Sequence, residues 1–392
     1  MKILLRYLII SLLFMAVFKV NANSDYCDEA SNNSDLAFQY LSESNFIRAI
    51  TLYSCEIDSD SDNAEPYLYR GIAYFNFDYF DLALEDLDTS ISLDNTSPEA
   101  YSTRAYIHQL MGNNHLAERD YLSAIDLWIP ESLAVLQTLN LRYARTLVQL
   151  QNFDEAINIY NMLIEANPDY ALAYLYRGIA YKNLQDNNQF QDNINLAISI
   201  DFTVVRQYLS EVYRYTEVNN FTVAHEIASN GISISPDDFQ AYYEQGYVYF
   251  SEGLYEEAIQ EFDTAIELND NMLSAYQFRG LAYHYMGDTE FGLQSIDLAL
   301  ERLPTMYTAY FAKAVIYQDL GDTKLAISNY LESLSIFPNQ LLTYLELGKL
   351  YFDNNDLESS LFYYNQYLVL AECIATSEAM EQVRIIESML DE

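Results

Sequence analysis

One spacing excludes most folds for this chain: shifted by 34 residues, the stretch from Gln240 to Asp270 falls repeatedly on small and aromatic residues of the same kinds. Within that stretch Tyr242, Gly246 and Tyr249 mark one helical-period run, and Ala258, Phe262 and Ala265 mark a second. Ser251, Glu252 and Gly253 interrupt the period between them, which predicts a turn and two antiparallel helices. From Phe239 the register runs back to repeats starting at Val205, Ala171 and Gln137, and forward to Leu273, Tyr307 and Leu341. Ahead of Gln137 it slips by five residues, Ser132 to Leu136, and resumes with repeats starting at Pro98, Ala64 and Ala30. A period of this length points to hairpins that bury their apolar faces only against one another. A chain of 392 residues is in any case too long for one compact core.

Charge narrows the partners. Against 58 Asp and Glu stand 19 Lys and Arg, a net charge of −39. Such a surface repels phosphate backbones and anionic lipid head groups, which argues against nucleic acid and against docking on a membrane. It favours solubility and cationic partners.

Residues 1–22 have a different character. Lys2 and Arg6 precede an apolar run from Tyr7 to Phe18, and Val20 and Ala22 put small residues at the positions a processing enzyme accepts, so a secretory signal peptide cleaved after Ala22 is expected. Lys19 beside that cut is unusual, and an uncleaved anchor is the alternative. The compartment would be extracytoplasmic, a bacterial periplasm or cell surface. Three cysteines then meet an oxidising environment, in which Cys27 and Cys55, at ends that antiparallel packing brings together, form a candidate disulfide, while Cys373 is left over.

The repeats resemble the tetratricopeptide repeat family over about residues 30–374. The fourth position carries Tyr67, Tyr101, Tyr174, Tyr208, Tyr242, Tyr276, Tyr310 and Tyr344, and the small eighth position Ala37, Gly71, Ala105, Ala144, Gly178, Gly246, Gly280, Ala314 and Gly348. The second helices supply Ala49, Ala83, Ala117, Ala156, Ala224, Ala258, Gly292, Ala326 and Ser360, and Pro168, Pro236, Pro304 and Pro338 close units. The resemblance implies an all-α superhelical solenoid of about ten helix-turn-helix repeats over 23–374, with a capping helix over 375–392 whose apolar face is Met380, Val383, Ile386 and Leu390. Departures from the pattern predict local irregularity: Phe190 where alanine is expected in the fifth repeat, and Val212 at the small position of the sixth. The slip before Gln137 predicts a first helix lengthened by more than a turn.

Site chemistry is sparse. Asp58, Asp60 and Asp62 begin like a calcium loop, but Asn63 stands where glycine is needed and Tyr69 where a bidentate glutamate would be. The histidines His108, His115, His225 and His284 lack metal-ligand spacing, and no phosphate loop, nucleophile elbow or HExxH is present, so neither catalysis nor a cofactor is expected. Arg70, Arg104, Arg177 and Arg279 recur just before the small residue, where ion pairs with the acidic second helix, for instance Glu85 to Asp88, account for them.

The resemblance also implies that first helices line a concave groove. Its expected partner-binding residues are the cations Arg142, Arg145, Lys182 and Arg206 and the aromatics Tyr213, Tyr243, Tyr247, Phe250, Phe278 and Phe311. The cations form either a site that reads a partner's carboxylate or an internal ionic network. The lysine and asparagine four apart that hold two carboxylates in chaperone-binding relatives are absent. The implied work is that of a non-enzymatic scaffold holding an extended peptide or partner helix. A structural adaptor that uses the acidic convex face is the alternative, and an accessory subunit of an enzyme complex the weaker one.

Overall fold

The structure is a computed structural model and describes residues 34–128, 133–371 and 377–391. The expected leader, Cys27, Pro130 and Cys373 lie outside the described residues. What is described is an all-α solenoid of helical hairpins in two compact units, one ending at Pro236 and one beginning at Asp237. Among the described residues no helix is long and apolar enough to cross a membrane.

The hairpin begins from local chemistry. Asn63 accepts a hydrogen bond from the Glu65 N–H at 3.1 Å, Ser97 from the Ala100 N–H at 3.2 Å with Pro98 next to it, and Asp322 from the Leu325 N–H at 3.1 Å, each meeting a donor that a helix start leaves unpaired. First helices end on a left-handed residue. That residue is Gly112, Gly253, Gly287 or Gly321 in four repeats, and Ser44, Asp78, Gln151, Gln185, Asn219 or Asn355, with φ of 57 to 63°, in the others. These positions follow the register read from the sequence, including the slip before Gln137.

Small residues let the two helices of a hairpin touch. A Cβ on Gly246 would sit 2.8 Å from the Phe262 ring, and one on Gly280 would sit 2.6 Å from the Gly292 carbonyl oxygen. Around such contacts Ala258, Phe262 and Ala265 are fully buried, as are Ala314 and Ala326 in the hairpins further on.

The recurring arginines join hairpin to hairpin. Arg70 holds Asp86 through two bonds of 2.7 Å and reaches back to Ser54 Oγ at 3.0 Å, while Arg104 binds Asp120 and Asp88, each at 2.6 Å. Arg177 makes the same span to Asn193 and Asn161, and Arg279 to Ser295 and Asp263. Each guanidinium thus bridges the second helix of its own hairpin and that of the preceding one. For Arg70, Arg104 and Arg279 this is the ionic pairing read from the sequence, whereas Arg177 makes the same bridge to two neutral asparagines.

The departures behave differently from one another. The fifth repeat is regular: Phe190 is buried in an unbroken helix Asn187–Ile200, and Lys182 Nζ lies 5.5 Å from its ring centre. The sequence expectation of irregular packing there is therefore corrected: the larger ring is buried without breaking its helix, with the Lys182 ammonium over its face. The sixth repeat does break. Its first helix is two pieces, Val204–Leu209 and Val212–Glu217, parted at Ser210 and Glu211. The fourth repeat's first helix, Leu133–Gln149, has 17 residues against 13 in Ala64–Asn76, the expected extra turn. The last helix, Ser377–Asp391, buries Ala379, Val383 and Ile386, whereas Met380 and Leu390 are exposed. Val383 and Ile386 lie on the buried face as expected; Met380, a step of about 100° from Ala379, turns off it, and Leu390 shares its direction but is exposed near the helix's end.

Candidate functional site

In the N-terminal unit the first-helix face is covered by the chain itself. Arg145, 8% exposed, makes a two-pronged pair with Glu211, which also accepts from the Tyr176 hydroxyl at 3.1 Å. The Arg145 guanidinium lies 4.6 Å from the centre of the Tyr176 ring and 3.5 Å from the Tyr215 hydroxyl. Burial works against its charge, but Glu211 and the surrounding tyrosines outweigh that and hold it well above the usual arginine range.

The parting of the sixth repeat's first helix is what sets Glu211 against Arg145. The same segment reaches the second repeat, where Arg214 stands 3.9 Å from Asp78 and 5.0 Å from the Phe75 ring centre. Just beyond it, Asn220 Nδ2 donates to the Leu110 carbonyl at 2.9 Å. Repeats two to six of this unit therefore close around one polar and aromatic centre.

The other expected cations divide. Arg142 is half-buried and stacks 3.9 Å from the Tyr106 ring centre. Lys182 donates to Asn230 Oδ1 at 2.8 Å, and burial pulls its ammonium below the ordinary lysine range despite nearby Glu226. Arg206 is exposed on Val204–Leu209, and Tyr213 is 47% exposed on Val212–Glu217. The pocket lined by Arg145, Tyr160, Tyr176, Tyr208 and Glu226 has a volume of about 40 Å³, room for ordered water. The carboxylate that Arg145 reads is the chain's own. Glu211 escaped the sequence reading, although it stands at the position that carries arginine in Arg70, Arg104, Arg177 and Arg279.

In the C-terminal unit the first-helix face is aromatic and half-buried. Phe278 is its hub, with ring centres of Tyr247 and Phe250 at 5.3 Å and of Tyr243 at 6.2 Å. Tyr285 extends the cluster 6.0 Å from Phe250. Phe311 stands apart, edge-on to buried Tyr330 at 5.4 Å. Glu244, on the same helix as Tyr243 and Tyr247, went unread from sequence. It accepts from Gln240 Nε2 at 2.6 Å, and burial lifts its carboxyl to about 7, with the Gln240 bond pulling the other way. At the far end of this face His284 meets Asp319 at 3.3 Å, and Lys349 meets Glu346 at 3.1 Å.

Residues 246–287 match the TPR repeat family, and residues 141–187 and 307–340 the Tetratricopeptide repeat family. These three stretches are tetratricopeptide repeats. A DnaJ homolog subfamily C member 7 homolog of Dictyostelium discoideum is 29% identical over 145 residues, 33% of this chain and 26% of that protein. The human mitochondrial import receptor subunit TOM70 is 27% identical over 153 residues, 38% of this chain and 25% of that protein. Human tetratricopeptide repeat protein 13 is 26% identical over 197 residues, 48% of this chain and 22% of that protein. The matched part thus spans about a quarter of these relatives. Among solved structures, yeast Tom70 aligns over 93% of this chain and 96% of its own with 12% identity and a TM-score of 0.37. The C-terminal part of a TPR repeat-containing protein from Cytophaga hutchinsonii aligns over 62% of this chain and 99% of its own, with 19% identity and the same TM-score, 0.37.

Proposed function

We propose that the chain is a non-enzymatic protein-interaction scaffold acting outside the cytoplasm, and that it holds an extended peptide or a partner helix on the first-helix face of its C-terminal unit. One observation carries this reading: the Phe278 cluster is half-buried and open, whereas the corresponding face of the N-terminal unit is filled by Glu211 and its helix. Tyr243, Tyr247, Phe250 and Phe278 give such a partner large rigid surfaces that lose little entropy on binding, and Phe311 extends them into the next repeat. The tetratricopeptide repeats, and a relative that is an import receptor subunit, support work on protein partners. The leader-like residues 1–22 support export to a bacterial periplasm or cell surface, and the disulfide at Cys55 fits an oxidising compartment.

Capture of envelope proteins by the full chain and by Phe278→Ala, at low and high salt, tests the reading. Retention should fall at least about tenfold in the variant and survive salt, as for an aromatic hot spot worth 2 kcal/mol or so. A partner retained by Phe278→Ala but released by salt would point instead to the adaptor that works through its acidic outer face.

A further inference from the structure

Among the described residues no cation is paired with the Glu244 carboxylate. Its one hydrogen bond among the described residues comes from the neutral Gln240 side chain, to Oε1, which leaves Oε2 without a described partner. A carboxylate drawn partly out of water gains from a cation set against it.

The described cations of this unit lie elsewhere. Arg279 holds Asp263, Lys313 holds Asp297, Lys349 holds Glu346 and Arg384 holds Glu381. Arg302 donates to the Leu298 carbonyl and stacks on Tyr276, and Lys324 is exposed on the second helix Thr323–Ile336. Beside Glu244 the same helix carries Tyr243 and Tyr247, and Phe278 of the next repeat packs against both. Aromatic faces next to a carboxylate are a setting for an ammonium or guanidinium: the rings attract the cation through their quadrupoles and keep water from weakening its pairing. A chain of net charge −39 also draws basic segments toward it.

We infer that Glu244 is the specificity residue of the C-terminal face: it takes a lysine or arginine side chain of the bound partner segment, with Tyr243, Tyr247 and Phe278 walling the cation. This rests on the proposed peptide-holding role of that face, and it adds the chemistry of what is read there. A partner whose contact segment lacks a basic residue would bind through the aromatics alone and more weakly.

The probe is a set of 12-residue peptides selected from a random display library on the full chain, each then measured on the wild type, Glu244→Gln and Phe278→Ala. Phe278-dependent peptides should share a lysine or arginine at one position. Replacing it by norleucine should weaken binding to the wild type on the order of thirty-fold, and hardly at all to Glu244→Gln. A water-soluble carbodiimide, which condenses a carboxylate with an amine into an amide, should join the peptide lysine to Glu244 of the wild type, so the contact is checked without any protein variant. Phe278-dependent peptides that carry no common cation, or that lose as much on Glu244→Gln as on the wild type when it is replaced, would overturn the inference while leaving the face as a binding site. A library yielding no Phe278-dependent peptide would overturn both.

Discussion

Arg279 and Glu211 stand at the same position of the repeat, one in each unit, and do opposite things. Arg279 ties two second helices together through Asp263 and Ser295 and stays within the hairpin stack. Glu211 leaves the stack. Its helix parts at Ser210, and the carboxylate crosses to Arg145, two repeats earlier. In one unit the first-helix face remains available; in the other it becomes an interior. A solenoid's binding surface is therefore not assured by having the repeats. One inverted charge and one bulky residue at the small position, Val212, accompany its conversion into a core.

The largest expected effect separates the units outright. Arg145→Met leaves Glu211 facing tyrosines with no counter-charge, and breaking such a pair costs about 3 kcal/mol. Hydrogen exchange should quicken across residues 204–217 and leave 273–302 as protected as before, because the polar centre draws its residues from the unit ending at Pro236 and 273–302 belong to the other. Unchanged exchange in 204–217 would mean that the polar centre does not hold that segment in place.

A smaller effect sharpens the contrast from the other side. Burial raises the Glu244 carboxyl above its unfolded value, to about 7, so the folded state prefers it protonated. Its contribution to stability is then lost as pH rises from the ordinary glutamate range toward 7, and above that the cost of the buried charge is complete. With partial exposure discounted, the span is on the order of 1–2 kcal/mol. The check is the difference in unfolding free energy between the wild type and Glu244→Gln at pH 5 and pH 8, the variant gaining at the higher pH. A difference independent of pH would show that Glu244 is solvated like a surface carboxylate.

The smallest effect concerns the turns the two units share. Gln185 holds a left-handed φ of 61°, where Gly253 and Gly287 stand in the C-terminal unit. Gln185→Gly should stabilise the N-terminal unit by up to about 1 kcal/mol, relief of side-chain strain exceeding the added freedom of the unfolded chain. Denaturant midpoints measure it, and a loss of stability would show that the glutamine side chain makes a contact worth more than the strain.

Much of this protein was legible in its sequence. The hairpins, their register through the slip before Gln137, the lengthened helix Leu133–Gln149 and the arginine bridges all follow from contacts within one repeat or between adjacent ones. Local contacts imprint a fixed spacing, and spacing is what a sequence displays. The anomalies at Phe190 and Val212 looked alike on that basis. Only the structure separated them, because Lys182 covers one ring while the other site lies in a helix that parts.

The use of each face was decided in three dimensions. Arg142, Arg145, Lys182 and Arg206 read as neighbours on one side of three repeats, yet each meets a different partner or surface, and what meets Arg145 comes from 66 residues away. Glu211 and Glu244 drew no notice among 58 acidic residues, since nothing in their spacing marks one as paired in an interior and the other as having no cation beside it among the described residues. The sequence by itself determined the repeat, its turns and the bridges between hairpins, where each partner lies within a fixed number of residues. How far successive hairpins curl, and thus which charges are enclosed and which remain exposed, depends on small rotations that accumulate from one repeat to the next, and these only the tertiary structure records.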